Sequence, residues 1–140
     1  MGLAQNTLVG FHRGLLRLSG GRLGSRIGKS PVLLLTTRGR HTGKVRCIPL
    51  LYVEDAGDYV LIASNGGAEK HPAWYFNLQD EPTATVELQG KKQQVHASDV
   101  TDPEERARLW KRSTESYKNY DGYATKTDRT IPVVRLHPAA

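Results

Sequence analysis

Residues 31–51, PVLLLTTRGRHTGKVRCIPLL, constrain the fold more than any other stretch of the chain. Two apolar runs, 32–37 and 45–53, flank a loop that carries Arg38, Arg40, His41, Thr42 and Lys44, punctuated by Gly39 and Gly43. Runs of this length and composition, bounded by turn residues, read as two strands that pair across the loop. The loop concentrates positive charge and permissive backbone between two strands that can be buried, which suits an anion.

More strands follow in quick succession. Ala56-Gly57-Asp58 turns the chain into a strand over 59–64, which Asn65-Gly66-Gly67 breaks. Residues 71–78, HPAWYFNL, read as a short helix with Pro72 in its first turn. Two alternating strands, 83–88 and 93–100, are joined as a hairpin at Gln89-Gly90-Lys91. Asp102-Pro103-Glu104-Glu105 is an N-cap followed by proline and acids, opening a helix to about Lys118. A last strand covers 131–136, with Pro132 placing it at an edge or a strand start. About six short strands joined mostly by tight turns, with two or three helices inserted, predict an α+β chain built as a small antiparallel barrel with helices outside. Alternating crossover helices are missing, which excludes a parallel α/β sheet.

Charge divides the chain. Residues 1–53 hold nine Lys/Arg and no acid, whereas the remainder holds eleven Lys/Arg against fourteen Asp/Glu. A folded surface with that bias attracts phosphate, carboxylate-rich ligands, nucleic acid or an anionic membrane. In the first segment Leu8, Phe11, Leu15 and Leu18 fall at helical spacing, so 6–19 forms a short amphipathic helix, followed by a Gly-rich loop. The segment packs on its own domain or a partner subunit, rests on a membrane surface, or is disordered. The expected division is 1–29 as an amphipathic basic segment and 30–140 as the barrel domain. The single cysteine and the absence of an apolar run of membrane-spanning length fit a cytoplasmic protein, peripheral on the membrane if the helix binds there.

Several chemistries can be set aside. Gly24–Gly28 encloses three residues where a phosphate loop needs four, and a strand follows where that motif needs a helix. The stretch from Gly39 to Lys44 is also one residue short, and no GxGxxG follows a strand. The histidines at 12, 41, 71, 96 and 137 show no ligand spacing with one another or with Cys47, so no metal site is expected. Ser64 lacks the G-x-S-x-G surround of a hydrolase nucleophile. What remains is a site of backbone and basic side chains. The 38–46 loop supplies donors, Ser64-Asn65-Gly66-Gly67 lets backbone N–H groups approach a ligand, and the helix near His71 adds its positive end. Trp74, Tyr75 and Phe76 either line a planar heterocycle or serve as the helix's core face. Tyr117, Tyr120 and Tyr123 form a second aromatic set whose hydroxyls could orient a carbonyl or nitro group and pass a proton.

Three segments carry a resemblance: LLLTTRGRHTGKVRCIPLLYV, ASNGGAEKHPAWYFNL and YKNYDGYATKTDRTIPVV. In that order and spacing they resemble the deazaflavin-dependent nitroreductases, actinobacterial split β-barrel oxidoreductases of FMN-binding-barrel type that use reduced coenzyme F420. The resemblance implies that Arg40, His41 and Thr42 hold the phosphate or oligoglutamate tail. His41 and Asn65 stand where some relatives carry lysine, which leaves Arg40, Lys44 and Arg46 as the main tail contacts. By the same resemblance Arg46, Cys47, Ile48, Pro49, Leu50 and Leu51 run beneath the deazaflavin, and Ile62, Ala63, Ser64 and Asn65 contact its edge and linker. Ala73, Trp74, Tyr75, Phe76 and Asn77 form the tail side, and Tyr120 lies near the ring. Tyr117, Tyr120, Tyr123 and Ser64 face the second substrate as the catalytic set. The implied activity is hydride transfer from F420H2 to a quinone such as menaquinone, or to another electron-poor acceptor such as a nitroaromatic. An FMN-dependent split-barrel oxidoreductase and a non-catalytic F420 carrier are the alternatives. A nucleic-acid binder is disfavoured, because no recognition helix and no run of aromatics among basic residues is present.

Overall fold

The computed structural model describes residues 26–27 and 30–139. The expected amphipathic helix over 6–19 lies outside the described residues. The described chain runs β1 (Arg26–Ile27), β2 (Ser30–Arg38), β3 (Val45–Leu51), β4 (Val53–Asp55), β5 (Asp58–Ile62), a 3-10 turn (Asn65–Gly67), α1 (Ala73–Asp80), β6 (Thr83–Leu88), β7 (Lys91–Asp99), α2 (Pro103–Ser116), α3 (Asn119–Thr125) and β8 (Val133–Pro138). Every strand pair is antiparallel. The antiparallel barrel with outer helices predicted from the turn pattern is therefore what forms.

Three expectations need correction. Among the described residues there are eight strands rather than six, because Arg26–Ile27 pairs with β2 inside a stretch that its glycines mark as loop. The run 45–53 is not one strand: it breaks at Tyr52, giving β3 and β4. The helix expected to run to about Lys118 stops at Ser116 with Tyr117 as its cap, and the other two tyrosines fall on a separate element: α3 begins at Asn119 and carries Tyr120 and Tyr123, with Gly122 inside it.

The break at Tyr52 closes the barrel. The sheet runs β3-β2-β6-β7-β8-β5-β4, so its two ends are the halves of one bent stretch of chain. β3 pairs along its length with β2, from Val32↔Leu51 to Arg38↔Val45, and β4 pairs with β5 on the far side. Between β3 and β5 no ladder forms. Pro49 suits that arrangement, because a strand with one unpaired edge can hold a residue that has no N–H to donate.

Alternation then fills two cores. Leu33 and Leu35 of β2, Leu61 of β5, Val86, Val95, Val134 and Leu136 pack inside the barrel with Trp74 and Leu78 of α1. Val60 and Ile62, on the opposite face of β5, pack with Val53 and Val133 against Leu109 of α2 and Tyr120 of α3. β5 at residues 60–62 and β8 at residues 133–134 are thus buried on both faces. Among the described residues no helix is long and apolar enough to cross a membrane.

The outer helix α2 is fixed at its start and along its side. The Asp102 carboxylate accepts from the Glu105 N–H at 2.9 Å, with Pro103 at the first helical position. Arg135 of β8 then donates to Asp55 (2.9 Å), Asp58 (2.9 Å) and Glu105 (2.6 Å), and Arg108 donates to Asp55 in a two-pronged contact at 2.7 and 3.1 Å. These hydrogen bonds from the Arg108 and Arg135 guanidinium groups hold the Asp55 carboxyl well below its ordinary 3.8. A carboxylate with a lowered folded value stabilises the fold fully above its unfolded value, and that contribution fades as pH falls toward the folded one. Asp55→Asn should accordingly cost about 2 kcal/mol at neutral pH. Denaturant midpoints of the two proteins should converge in acid; a constant gap down to the acid transition would show that Asp55 does not carry this charge-dependent stability.

Candidate functional site

A cleft of about 490 Å³ opens where β3 and β5 part. Ile48, Pro49, Leu50 and Leu51 line it from β3, and Leu61 and Ile62 from β5. Neighbouring residues of a strand face opposite sides, so four consecutive residues can line one cleft only if it runs along the strand's edge. The walls here are accordingly apolar side chains together with unpaired backbone. Ser64, Asn65 and Gly66 cap one side, Pro72, Ala73 and Trp74 another, and Tyr117, Tyr120 and Tyr123 close it.

The Ser64–Gly67 turn is held from behind by Arg129. Its guanidinium donates to the carbonyls of Ser64 (2.7 Å), Ala63 (3.3 Å) and Ala68 (2.9 Å), and lies 2.8 Å from His71 Nδ1. A guanidinium can only donate, so Nδ1 is the accepting nitrogen and the neutral ring carries its hydrogen on Nε2. Burial, and then the Arg129 charge, push the His71 value down, which agrees with a neutral ring. Gly66 and Gly67 both have positive φ, +64 and +83. A Cβ on Gly66 would meet nothing within 4 Å, whereas one on Gly67 would lie 2.9 Å from the Tyr123 carbonyl oxygen and 3.1 Å from Tyr123 Cα. The turn and α3 therefore touch backbone to backbone, and only glycine permits it.

α3 brings the tyrosines together. Trp110 Nε1 donates to Asp121 at 2.8 Å, which ties α3 to α2. Tyr120 is buried, with its ring centroid 5.1 Å from that of Tyr117 and 6.4 Å from that of Tyr123. The Tyr117 and Tyr123 hydroxyls are 3.0 Å apart, and the amide nitrogen of Asn119 lies 2.9 Å from the Tyr117 hydroxyl. Burial pushes Tyr120 well above its ordinary 10.0, and the hydrogen bond with Tyr117 together with burial raises Tyr123, against a smaller lowering by the Asn119 amide, which reaches the Tyr117 and Tyr123 hydroxyls. The Tyr120 and Tyr123 hydroxyls keep their hydrogens at neutral pH and are available as donors.

The basic loop is attached to the same site through α1. The Arg40 N–H donates to the side-chain Oδ1 of Asn77 at 3.1 Å, and the Asn77 Nδ2 donates to the Thr37 hydroxyl at 3.1 Å. The Arg40 guanidinium lies over the Phe76 ring, 4.3 Å from its centroid. α1 thus borders the cleft at Ala73 and Trp74 and carries the loop at Phe76 and Asn77. The side chains of Arg40, His41, Thr42, Lys44 and Arg46 are exposed.

Of the residues expected at a ligand site, Ile48, Pro49, Leu50, Leu51, Ile62, Ser64, Asn65, Ala73, Trp74 and the three tyrosines line the cleft. Others take different places. Ala63 is fully buried in the barrel, while its carbonyl accepts from Arg129. Cys47 is half-buried against Val32 and Leu34 on the outer face of β2. Tyr75 turns away to donate to Asp99 at 2.6 Å and borders a separate cleft with His71. Sequence reasoning missed Arg129, which follows the tyrosines by a few residues and has no local partner to betray its reach. It also missed the steric demand on Gly67, for which the Asn-Gly-Gly signal suggested only flexibility. Among the described residues no group of His, Cys, Asp or Glu could hold a metal ion.

A planar ring with an anionic tail fits this donor set. The cleft offers an apolar, edge-on floor, Gly66 leaves open space beside it, and the exposed cations are joined to it by α1. Comparison with known proteins points the same way. A family model described as F420H(2)-dependent quinone reductase matches residues 10–138. An F420H(2)-dependent quinone reductase of Mycobacterium tuberculosis is 39% identical over 133 residues, covering 92% of this chain and 89% of that one. A solved F420-H2 dependent reductase, FDR-A, superposes with a TM-score of 0.69 at 42% identity over 76% of this chain and 94% of that chain. The heme storage protein HutZ of Vibrio cholerae, at 16% identity and a TM-score of 0.61 over 81% of this chain and 84% of its own, shares the fold alone.

The two glycines of the turn should respond differently to a methyl group. Gly66→Ala meets only the left-handed backbone cost of about 1–2 kcal/mol. Gly67→Ala adds a clash with Tyr123 and should be destabilised by about 2 kcal/mol more, within the usual range for forced overpacking. Chemical denaturation of both variants tests the ranking, and equal losses would mean that the turn and α3 can separate freely.

Proposed function

The chain belongs to the F420H(2)-dependent quinone reductase family, and on that basis we propose that it transfers a hydride from reduced coenzyme F420, its cofactor, to a quinone held against Tyr117, Tyr120, Tyr123 and Ser64. The observation that carries this reading is the cleft along the unpaired edge of β3, closed by three tyrosines and joined through α1 to a cationic loop. The bound cofactor supplies the hydride, so the protein needs neither a nucleophile nor a metal of its own.

The chain's own residues bind, orient and shield. Ile48 to Leu51 form the floor for a flat ring, while Leu61 and Ile62 keep water from its edge. The Ser64–Gly67 turn offers backbone N–H groups and the Ser64 hydroxyl at one side. Arg40, Lys44 and Arg46 supply the countercharge for the anionic tail, and His41 and Thr42 add hydrogen-bonding groups beside it. A quinone that accepts a hydride needs one more proton to become the quinol. The Tyr120 and Tyr123 hydroxyls, protonated at neutral pH, hold hydrogens beside the acceptor for that purpose. A nitro compound presents similar oxygen acceptors and is the second acceptor class to test.

Residues 30–140 form the catalytic barrel in this reading, and the acid-free residues 1–29 are a basic arm. Quinones of the menaquinone type dissolve in membranes, and a basic amphipathic arm would hold the enzyme on the cytoplasmic face of an anionic bilayer.

Three measurements test the reading. Reduced F420 should be oxidised on addition of menadione, and binding without oxidation by any quinone or nitroaromatic would leave a carrier rather than a reductase. Arg40→Ala and Arg46→Ala should each weaken F420 binding by about tenfold, the value of one charge-assisted contact, with a shallower salt dependence. Unchanged affinity in both would move the tail away from the loop. Deleting residues 1–25, which leaves β1 in place against β2, should abolish pelleting with phosphatidylserine vesicles while F420 affinity is retained; full pelleting of the truncated protein would rule out the arm as the membrane contact.

A further inference from the structure

We propose that Asn119 is a positioning residue that fixes the direction of a hydrogen-bond chain, Asn119 to Tyr117 to Tyr123, so that Tyr123 presents a hydrogen rather than a lone pair to the electron acceptor. The inference rests on the reductase reading of the cleft and adds to it a determinant of which acceptors are taken.

The geometry is local. Asn119 is the first residue of α3, and its side chain folds back so that Nδ2 lies 2.9 Å from the Tyr117 hydroxyl oxygen. The Tyr117 and Tyr123 oxygens are 3.0 Å apart. Two phenols in contact can share a hydrogen bond in either direction. If Tyr123 donates to Tyr117, the cleft is offered a lone pair; if Tyr117 donates to Tyr123, the cleft is offered the Tyr123 hydrogen. An amide nitrogen can only donate. Once Asn119 occupies a lone pair on Tyr117, that phenol is best satisfied by directing its single hydrogen to Tyr123. Tyr123 then has its own hydrogen free, and both rings line the cleft.

The spacing of the chain is also held from outside. Trp110 of α2 donates to Asp121 at 2.8 Å, and the Gly67 contact sets the Tyr123 backbone against the Ser64–Gly67 turn. The tyrosines therefore cannot easily drift apart to take up the other arrangement. A fixed donor favours acceptors with accessible oxygen lone pairs, quinone carbonyls and nitro oxygens alike, and disfavours a quinol, whose hydroxyl hydrogens would meet the Tyr123 hydrogen. Product release and acceptor choice are then set by the same bond.

Asn119→Leu removes the directing donor, and Asn119→Asp replaces it with an acceptor that draws the Tyr117 hydrogen away from Tyr123. With the full-length protein, reduced F420 and menadione, Asn119→Leu should raise the KM for the quinone about two- to tenfold, the value of a single hydrogen bond. Asn119→Asp should raise it further, and F420 affinity should stay at its wild-type value in both. In a Tyr123→Phe background neither substitution should have an additional effect. Wild-type quinone KM in both variants, or effects that persist undiminished without the Tyr123 hydroxyl, would overturn the proposal. A second readout needs no turnover: in cofactor-free protein Asn119→Leu, which removes the amide that stabilises the phenolates without adding a charge, should shift the tyrosinate absorbance titration upward, and Asn119→Asp should shift it further. An unshifted titration overturns the chain even if quinone is reduced. A wild-type protein that oxidises no reduced F420 would overturn the reductase reading, while the titration still decides the role of Asn119.

Discussion

The missing ladder between β3 and β5 is the constraint on which the site depends. An unpaired strand edge is ordinarily a hazard, because its free N–H and C=O groups invite pairing with another chain. Here the exposed edge is shielded in three ways. The chain bends at Tyr52, so one stretch pairs with β2 on one side and, as β4, with β5 on the other. Pro49 removes one donor from the open edge, and the tyrosines of α3 with the Ser64–Gly67 turn stand over what is left. A cleft made this way has apolar side chains and hydrogen-bonding backbone side by side, which is what a flat heterocycle with polar edges requires.

Two elements far apart in sequence hold the cleft's far wall at a fixed distance. Arg129 donates to the carbonyls of Ala63, Ser64 and Ala68, which ties the turn at the end of β5 to the chain that follows α3. Gly67 lets α3 approach that turn to contact distance. The packing of Leu109 and Tyr120 against Val60 and Ile62 then fixes α3 to the back of β5, whose other face fills the barrel. The edge of β3, the turn and the tyrosines are thus three surfaces of one cleft. Precision at such a site comes from sheet and helix rather than from loop length.

Much of this was legible in the sequence, for identifiable reasons. The strands of residues 83–88 and the helix opened by Asp102 were readable because their signals are local: alternation, a turn pair, an N-cap with proline behind it. The cleft-lining residues Ile48 to Leu51 came from family resemblance alone, whereas Ser64, in its Gly-rich turn, and the three tyrosines at spacing three were also singled out by the residues themselves. The break at Tyr52 could not be read, because 45–53 is largely apolar up to its end and the bend is imposed by barrel closure. Arg129 was invisible for the opposite reason. An exposed-looking arginine between Asp128 and Thr130 has ordinary local chemistry, and its partners lie about sixty residues back in the chain. The first helix boundary slipped from His71 to Ala73 because Pro72, which favours an extended residue before it and a helical start after it, serves as the cap itself.

The two halves of the site contribute differently to recognition. The cations of the 38–46 loop are exposed, so each acts through high-dielectric surroundings and is weakened by salt over a distance of about 8–10 Å at physiological ionic strength. Such a loop draws an anionic ligand in quickly and discriminates poorly, since any polyanion of suitable reach is attracted. The cleft is the reverse: it has no net charge among its lining residues and selects by shape and by hydrogen-bond polarity. If the loop alone set specificity, the protein would be a general polyanion binder; if the cleft alone did, association would be slow and the tail unused. Their connection through α1, with Ala73 and Trp74 at one end and Phe76 and Asn77 at the other, makes one ligand satisfy both conditions at once. In the proposed reading the choice of acceptor falls to the tyrosine hydroxyls, beyond the loop's charge, where a weakly held molecule must find a hydrogen already pointing toward it.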